Sequence, residues 1–172
     1  MKEIDENEIQ LDSNRYLVSE TDAKGVITYC NDYFTEISGY TREELIGKQH
    51  NIIRHPDMPR VVFKLLWERI SQGKNINAVV KNLAKNGKYY WVFTEFQTRI
   101  DLDTNTVIGY TAHRKLISDD VSNTIENIYK QVLYVEQQKG MEKAQEFLEA
   151  LLKEKGRDIN FVNLMDNIYK FY

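Results

Sequence analysis

The chain has 172 residues, the size of one domain with an extension or of two very small domains. Apolar residues make up 42% of it and charged residues 28%, which is typical of a globular protein and excludes disorder as the main state. The net charge of -3 argues against nucleic acid as the main partner, because phosphate binding needs a local excess of basic residues.

Cysteine content and hydropathy exclude further classes of protein. Cys30 is the only cysteine, which excludes an internal disulfide framework and a multi-cysteine metal site and indicates a reducing compartment. No apolar run reaches the ~20 residues that a membrane span needs, and the acidic N-terminus lacks the apolar core of a secretory signal. We therefore expect a cytoplasmic protein without direct membrane insertion, which could associate with a membrane only through a partner.

The first half of the chain predicts a hairpin followed by short helices. Residues 16–21 and 26–30 are β-forming runs on either side of a turn that contains glycine. Asn31 can cap a short helix that ends at Gly39. The segment Thr41–Glu44 is a capping-box pattern that opens another short helix. Helices this short cannot bury a long apolar face, so they favour the wall of a binding site over a helical bundle.

A longer helix and three strands follow. Pro59 suits the first turn of a helix that runs to about Gly73, since its missing N–H costs nothing there. Beyond it the apolar pattern has a period of two, and Asn86-Gly87 is a strong hairpin signal. Three antiparallel strands, together with the early hairpin, predict a five-stranded sheet; they start at residues 76, 88 and 107.

The last third of the chain predicts three helices that are separated by Gly140 and Gly156. Ser118 is positioned to cap the first of them, and the third covers residues 158–172. Each helix carries an apolar stripe that must be buried somewhere. Packing within the chain and docking onto a second protein are both consistent with these stripes.

The order of elements resembles a PAS domain, and two sets of motifs sharpen the resemblance. The first is Asn31-Asp32-Tyr33-Phe34 followed by the segment 38–47, a wording common to many PAS domains. The narrower set is the segment 50–59, His-Asn-Ile-Ile-Arg-His-Pro-Asp-Met-Pro, followed by Phe63, Trp67 and the motifs at 80–82, 85–87 and 90–92. This set is similar to the FAD-binding sensor domain of bacterial aerotaxis receptors.

The resemblance implies an α/β PAS fold: a five-stranded antiparallel sheet with short helices on one face, plus a C-terminal helical extension. Residues 15–117 would form the PAS sensor domain, 1–14 an N-terminal cap or flexible segment, and 118–172 the extension, for which we assign no family. Segment 1–14 itself could form a short helix or remain loose.

The resemblance also implies a function. Aerotaxis receptors continue into membrane and signalling segments that this sequence lacks, so it looks more like the stand-alone PAS proteins of energy taxis. It would be a redox or oxygen sensor, not an enzyme, that binds FAD non-covalently. It would report to a membrane-bound chemoreceptor or another signalling protein; a homodimer is a further partner to test. We find no recognisable catalytic motif and no phosphate-binding loop in the sequence.

Three candidate site residues, Arg54, His55 and Asp57, lie in the irregular loop 51–59, which Pro56 and Pro59 stiffen. An arginine offers bidentate donors to a pyrophosphate, and Asp57 could hold Arg54 or accept from a ribose hydroxyl. The alternative from the residues alone is a surface salt bridge beside a helix start. The resemblance favours the binding interpretation, because these positions match FAD-binding residues of the family.

Four further residues complete the candidate set. Phe63 and Trp67 are either core residues or a wall against the flavin rings. Asn82 continues the inward face of an apolar strand, where its amide needs a partner such as the N3–C4 edge of a flavin; a bulge that exposes it to water is the alternative. Asn31 is either a helix cap or a second flavin contact.

Two rival classes stay open. His50, His55 and His113 allow a haem- or small-molecule-binding PAS domain, and a ligand-free interaction or dimerisation module needs no site at all. The thiol motif of light-sensing flavin domains is absent, because segment 51–55 contains no cysteine. The visible absorption of the purified protein separates these classes, since a flavin, a haem and an empty module differ in colour.

Overall fold

The computed structural model describes residues 4–156 and 159–168. Its strands are β1 (Leu17–Asp22), β2 (Ile27–Cys30), β3 (Ile76–Leu83), β4 (Tyr89–Asp101) and β5 (Thr106–Leu116). Its helices are α1 (Asp32–Ser38), α2 (Arg42–Leu45), α3 (Arg60–Ile70), α4 (Asp119–Lys139), α5 (Met141–Lys155) and α6 (Phe161–Asp166), and a 3₁₀ turn lies at His50–Ile53.

The five strands form one sheet in the order β2-β1-β5-β4-β3, and every neighbouring pair is antiparallel. Helices α1, α2 and α3 contact the strands β1, β2, β3 and β4, and the core lies between these helices and the sheet. This arrangement confirms the predicted α/β fold, with its antiparallel sheet, its short helices on one face and its helical C-terminal extension.

The local helix signals operate as the sequence predicts. Asn31 Oδ1 accepts the Phe34 amide at the start of α1, and Gly39 ends that helix in the left-handed conformation. Thr41 and Glu44 exchange both bonds of a capping box at the start of α2. These short-range contacts fix where the chain turns before any long-range packing occurs.

The β3–β4 hairpin also follows its sequence signal. The Ala84 amide donates to the Lys88 carbonyl at 2.8 Å, so the loop between them has three residues. Gly87 takes a φ of 90°, which a residue with a Cβ adopts only at a cost. Asn86 Oδ1 accepts the Lys88 amide at 3.1 Å and holds the turn.

Residues 4–14 of the N-terminal segment form no helix, and residues 5–9 are bonded to the start of β4. Glu8 lies beside Tyr89 in a parallel bridge, and the Ile9 amide donates to the Tyr89 carbonyl at 2.7 Å. The physical reason lies in the register, since the β4–β5 ladder stops at the Val92–Leu116 pair and leaves the first residues of β4 open on that side. The segment covers this exposed strand edge.

The C-terminal helices pack within the chain. Tyr129 of α4 donates its hydroxyl to the Val79 carbonyl at 2.8 Å, and Met165 of α6 accepts the Val79 amide at 3.4 Å, so both cover the outer edge of β3. The stripe residues Val121, Ile125 and Val132 are buried. The stripe of α4 is therefore buried within the chain, so the interpretation of this stripe as a docking face for a partner is wrong.

Two details of this extension differ from the prediction. Ser118 stands before α4 but makes no side-chain cap; its carbonyl accepts the Ser122 amide instead. Of the helix predicted over 158–172, the structure has α6, and Asp158 and residues 169–172 lie outside the described residues. Within the described ranges, no helix is both long and apolar enough to cross a membrane.

Candidate ligand-binding cavity

A cavity of about 260 Å³ lies between the inner face of the sheet and α3. Helix α3 contributes Phe63, Leu66, Trp67 and Ile70, whose spacing of i, i+3, i+4 and i+7 places them on one face of the helix. The opposite wall is formed by inward-facing residues of β1, β3, β4 and β5. Most of the lining surface is apolar, and the polar groups come from the sheet and from segment 49–54.

Arg114 lines the cavity as a fully buried charged side chain, and only 2% of it is exposed. Its guanidinium donates to Ser19 Oγ at 2.9 Å and to His50 Nε2 at 2.8 Å. The register places Arg114 opposite Thr94 on β4 and opposite Leu17 on β1. Among the described residues, no carboxylate lies within ion-pair distance of it.

His50 is neutral in this arrangement. Burial, and then the positive charge of Arg114, lower its pKa to about 3. Because an arginine can only donate, His50 Nε2 must carry the lone pair, which places the ring proton on Nδ1. Burial also lowers the pKa of Arg114, to about 10, which still leaves it charged at neutral pH. The cavity therefore presents a net positive charge and favours a ligand with electron-rich acceptor atoms.

Two buried polar atoms of the cavity lining, one on β3 and one on β4, have no clear hydrogen-bond partner among the residues that the structure describes. Asn82 Nδ2 and Thr94 Oγ1 are both buried, and both residues line the cavity. An unmade hydrogen bond of this kind costs ~1–3 kcal/mol. A ligand with donor and acceptor atoms turned toward the sheet, as a flavin has, supplies the kind of group that these two atoms lack.

Arg54 lines the cavity from the loop that precedes α3. Its guanidinium carbon lies 4.2 Å from the centre of the Phe63 ring, and Nη2 donates to the Met58 carbonyl at 3.2 Å. The backbone of Arg54 also forms a bridge with Asn82 on β3. This stacking leaves most of the guanidinium donors available to an anion.

Trp67 stands at the edge of the cavity, and 41% of it is exposed. Its ring packs edge-on against Tyr110 with 5.3 Å between the ring centres. On the other side it lies against Gly25 in the β1–β2 turn, where a Cβ atom would come within 3.1 Å of the indole. The indole thus bridges α3 and the hairpin at the entrance.

The other three predicted site residues lie away from the lining. Asn31 accepts the Val18 amide and donates to the Tyr16 carbonyl in addition to capping α1, so its side chain ties β1 to that helix. His55 is buried beside Tyr89, and its Nδ1 accepts the Asp57 amide at 3.1 Å. These contacts support the loops around the cavity.

Asp57 pairs with Lys81 rather than with Arg54. Lys81 Nζ lies 3.1 Å from Asp57 Oδ2 and 3.0 Å from Glu126 Oε1 of α4. Burial alone would lower the pKa of Lys81, but the hydrogen bonds that its ammonium donates to Glu126 and Asp57 outweigh this effect and raise the pKa. The alternative that Asp57 holds Arg54 is therefore wrong in this structure.

The structure also adds residues that the sequence did not single out as cofactor contacts. Ser19, Thr94 and Arg114 come from three different strands and meet only when the sheet forms. From the sequence, His50 is a candidate only for a haem ligand, whereas the structure places it in the lining of the cavity. The period-two pattern of β5 places Arg114 on the inward face of the sheet, and this pattern could have predicted the positive charge in the cavity.

The model of the PAS fold matches residues 27–112, half of the chain. The chain belongs to the PAS family. The matched range holds strands β2, β3 and β4 and most of β5, and it includes all seven predicted site residues.

Relatives and solved structures agree with the PAS assignment. The chain is 38% identical to the aerotaxis receptor of Escherichia coli strain K12 over 114 residues, which are 66% of this chain and 22% of that receptor. A light-oxygen-voltage domain studied with a flavin analogue superposes with a TM-score of 0.57 at 17% identity, covering 67% of this chain and 86% of that one. The light-state domain of the blue-light photoreceptor Aureochrome1 gives 0.55 at 21% identity, over 71% and 91%.

Proposed function

We propose that this PAS domain is a cytoplasmic redox sensor that binds FAD non-covalently. The observation that carries the proposal is an apolar, aromatic-walled cavity with polar groups on its sheet side. Asn82 and Thr94 each have one unpartnered buried atom there, and Arg114 has no carboxylate partner among the described residues. The similarity to an aerotaxis receptor supports the choice of FAD and of a signalling role. A bound flavin supplies reversible electron transfer; the protein supplies shape, donors and charge.

The cavity volume suggests which part of the cofactor it holds. At about 260 Å³ it lies just below the ~300–1,000 Å³ of pockets that take whole drug-sized ligands. We therefore place the flavin ring system inside, between the sheet and α3. Arg54 is the residue we assign to the diphosphate, because its stacked guanidinium offers bidentate donors to phosphate oxygens.

The polar residues of the sheet interact differently with the oxidised and the reduced ring system. Asn82 presents both a donor and an acceptor, as the matching edge of a flavin does. Arg114 keeps a fixed positive charge in the cavity, so a change of charge on the ligand changes its interaction with Arg114, Ser19 and His50. A ligand state shifts a conformational equilibrium only through such differential contacts.

The roles of Asn31, His55 and Asp57 follow from their positions. We propose that they act on the cofactor through the loops they hold, with Asp57 and His55 fixing the segment that carries Arg54. Direct contact of these three residues with FAD stays a prediction. The partner is proposed to be a membrane-bound chemoreceptor or another signalling protein, and a homodimer is to be tested in the same preparations.

Haem has less support than FAD. His50 lines the cavity, but its Nε2 already accepts from Arg114 and lies 3.0 Å from Ser19 Oγ, so this nitrogen is not free for an axial bond. No cluster of metal-ligating side chains occurs in the part of the chain that the structure describes.

Titration with FAD, followed by quenching of flavin fluorescence, tests the proposal. We expect Asn82→Ala and Arg54→Ala to bind at least tenfold more weakly than the parent protein while keeping its circular dichroism. Asn77→Ala is the matched control, because Asn77 lies on the same strand but bonds Asp166 of α6 instead of facing the cavity. Unchanged affinity in both cavity variants would remove these residues from the site.

A further inference from the structure

A carboxylate from the C-terminal extension caps the helix that forms one wall of the cavity. Glu136 of α4 is buried, although its partner Arg60 is largely exposed. Its Oε1 accepts the Arg60 amide at 3.2 Å and Arg60 Nε at 3.0 Å, and its Oε2 accepts the Val61 amide at 2.9 Å. The two oxygens thus bind the first two amides of α3.

This carboxylate completes the hydrogen bonding at the start of α3. Pro59, at the cap position, has no N–H and no capping side chain, and the Val62 amide donates to the Pro59 carbonyl at 3.2 Å. The amides of Arg60 and Val61 would therefore be unpaired without Glu136. A negative charge at this end also interacts favourably with the helix dipole.

The capped helix carries the cavity wall. Phe63, Leu66, Trp67 and Ile70 line the cavity from α3, and Arg54 lies in the loop just before it. A second contact joins the same loop to α4, since Lys81 bonds both Asp57 of the loop and Glu126 of α4. A second cleft, between the loop and α4, is lined by Arg54 and Glu136 together.

We propose that Glu136 is a positioning residue that couples the C-terminal helices to the cavity. By fixing the start of α3, it sets the position of the wall that contacts the ligand. In the other direction, a ligand in the cavity stabilises the contact between α3 and α4. The coupling must be equal in both directions, because it is one free energy shared by two sites. The identity of the ligand as FAD rests on the proposed function.

The first test needs no cofactor. Hydrogen exchange of the α3 amides is compared in the ligand-free parent, Glu136→Ala and Leu152→Ala. Leu152 is fully buried in α5 and lines neither cavity, so its truncation lowers global stability without touching the cap. We expect α3 to exchange at least tenfold faster in Glu136→Ala than in Leu152→Ala at matched global stability. Equal exchange in the two variants would overturn the coupling.

The second test is FAD binding well below the unfolding temperature. We expect Glu136→Ala to raise the dissociation constant about tenfold (~1.4 kcal/mol). Glu136→Gln keeps one acceptor oxygen and should recover part of the loss. Leu152→Ala and the exposed Glu142→Gln should bind as the parent does. FAD should slow exchange in α4 of the parent and of Leu152→Ala but not of Glu136→Ala.

The outcomes of the two tests are distinguishable. A parent protein that binds no FAD refutes the proposed function, and the exchange comparison in the ligand-free state still decides whether Glu136 positions α3. A parent that binds FAD, with a Glu136→Ala variant that binds equally well and shows the same protection of α4, refutes the coupling alone.

Discussion

Replacing Arg114 by methionine should separate ligand binding from folding. The side chain is buried, has no carboxylate partner among the described residues, and lines the cavity. Methionine has a similar length and no charge. If Arg114 is retained for a ligand, its loss should weaken binding without weakening the ligand-free fold, because functional residues are often kept at the expense of stability.

The structure gives the size of the expected effect. Burial lowers the pKa of Arg114 from 12.5 to about 10, and at about 1.4 kcal/mol per pKa unit the buried charge costs about 3 kcal/mol. Against this, the variant loses three hydrogen bonds, to Ser19, His50 and the Ala112 carbonyl, each worth ~0.5–1.5 kcal/mol net. Ser19 Oγ and His50 Nε2 lie 3.0 Å apart and remain partners for each other.

We therefore expect the free energy of unfolding of ligand-free Arg114→Met to stay within ~1.5 kcal/mol of that of the parent, because the two contributions nearly cancel. Loss of a charged donor to the ligand should weaken FAD binding by ~1.5–3 kcal/mol, roughly ten- to a hundredfold. Urea titrations of the ligand-free proteins give the first quantity, provided the slope is unchanged. Flavin fluorescence gives the second.

Arg99→Met is the control. Arg99 pairs with Glu20 at 3.0 Å on the opposite face of the sheet, where an ion pair contributes ~0–1 kcal/mol and touches no ligand. It should lose little stability and no affinity. An Arg114→Met protein that is clearly destabilised yet binds FAD like the parent would show that Arg114 is structural, and the reasoning would be refuted.

Two further predictions concern stability. Since the pKa of His50 is about 3 in the fold and near 6.5 when unfolded, the unfolded state binds more protons below about pH 6.5, and stability should fall as the pH decreases, by at most ~1.4 kcal/mol per unit. Urea midpoints between about pH 7 and 5 should fall less steeply in His50→Gln; parallel curves would contradict this. Gly109→Ala should cost more than ~3 kcal/mol, because its Cβ would lie 2.2 Å from the Thr21 carbonyl oxygen and force β1 from β5. Gly47→Ala, which meets nothing within 4 Å and carries only a positive φ, should lose ~1–2 kcal/mol; similar losses in both would refute the steric argument.

Features with a local cause could be predicted from the sequence. The cap at Asn31, the capping box at Thr41 and the turn at Gly87 each depend on residues within a few positions of one another. The inward face of β3 also predicted that Asn82 would lie in the interior, and its amide does line the cavity. Short-range chemistry thus located the walls of the site.

Features with a long-range cause could not. Ser19 and Arg114 lie 95 positions apart in sequence, and only the β1–β5 pairing brings them together. Glu136 caps an amide 75 positions earlier, and no sequence pattern shows which helix it will meet. Segment 4–9 pairs with β4 only because β5 ends early, a detail of strand length that propensity does not fix.

The visible absorption spectrum of the protein tests the central claim most directly. The purified chain is equilibrated with FAD, freed of unbound cofactor by gel filtration, and measured together with its circular dichroism. The account predicts a flavin spectrum with close to one FAD per chain, which bleaches reversibly on anaerobic reduction. A protein with native circular dichroism and no visible absorption would contradict it.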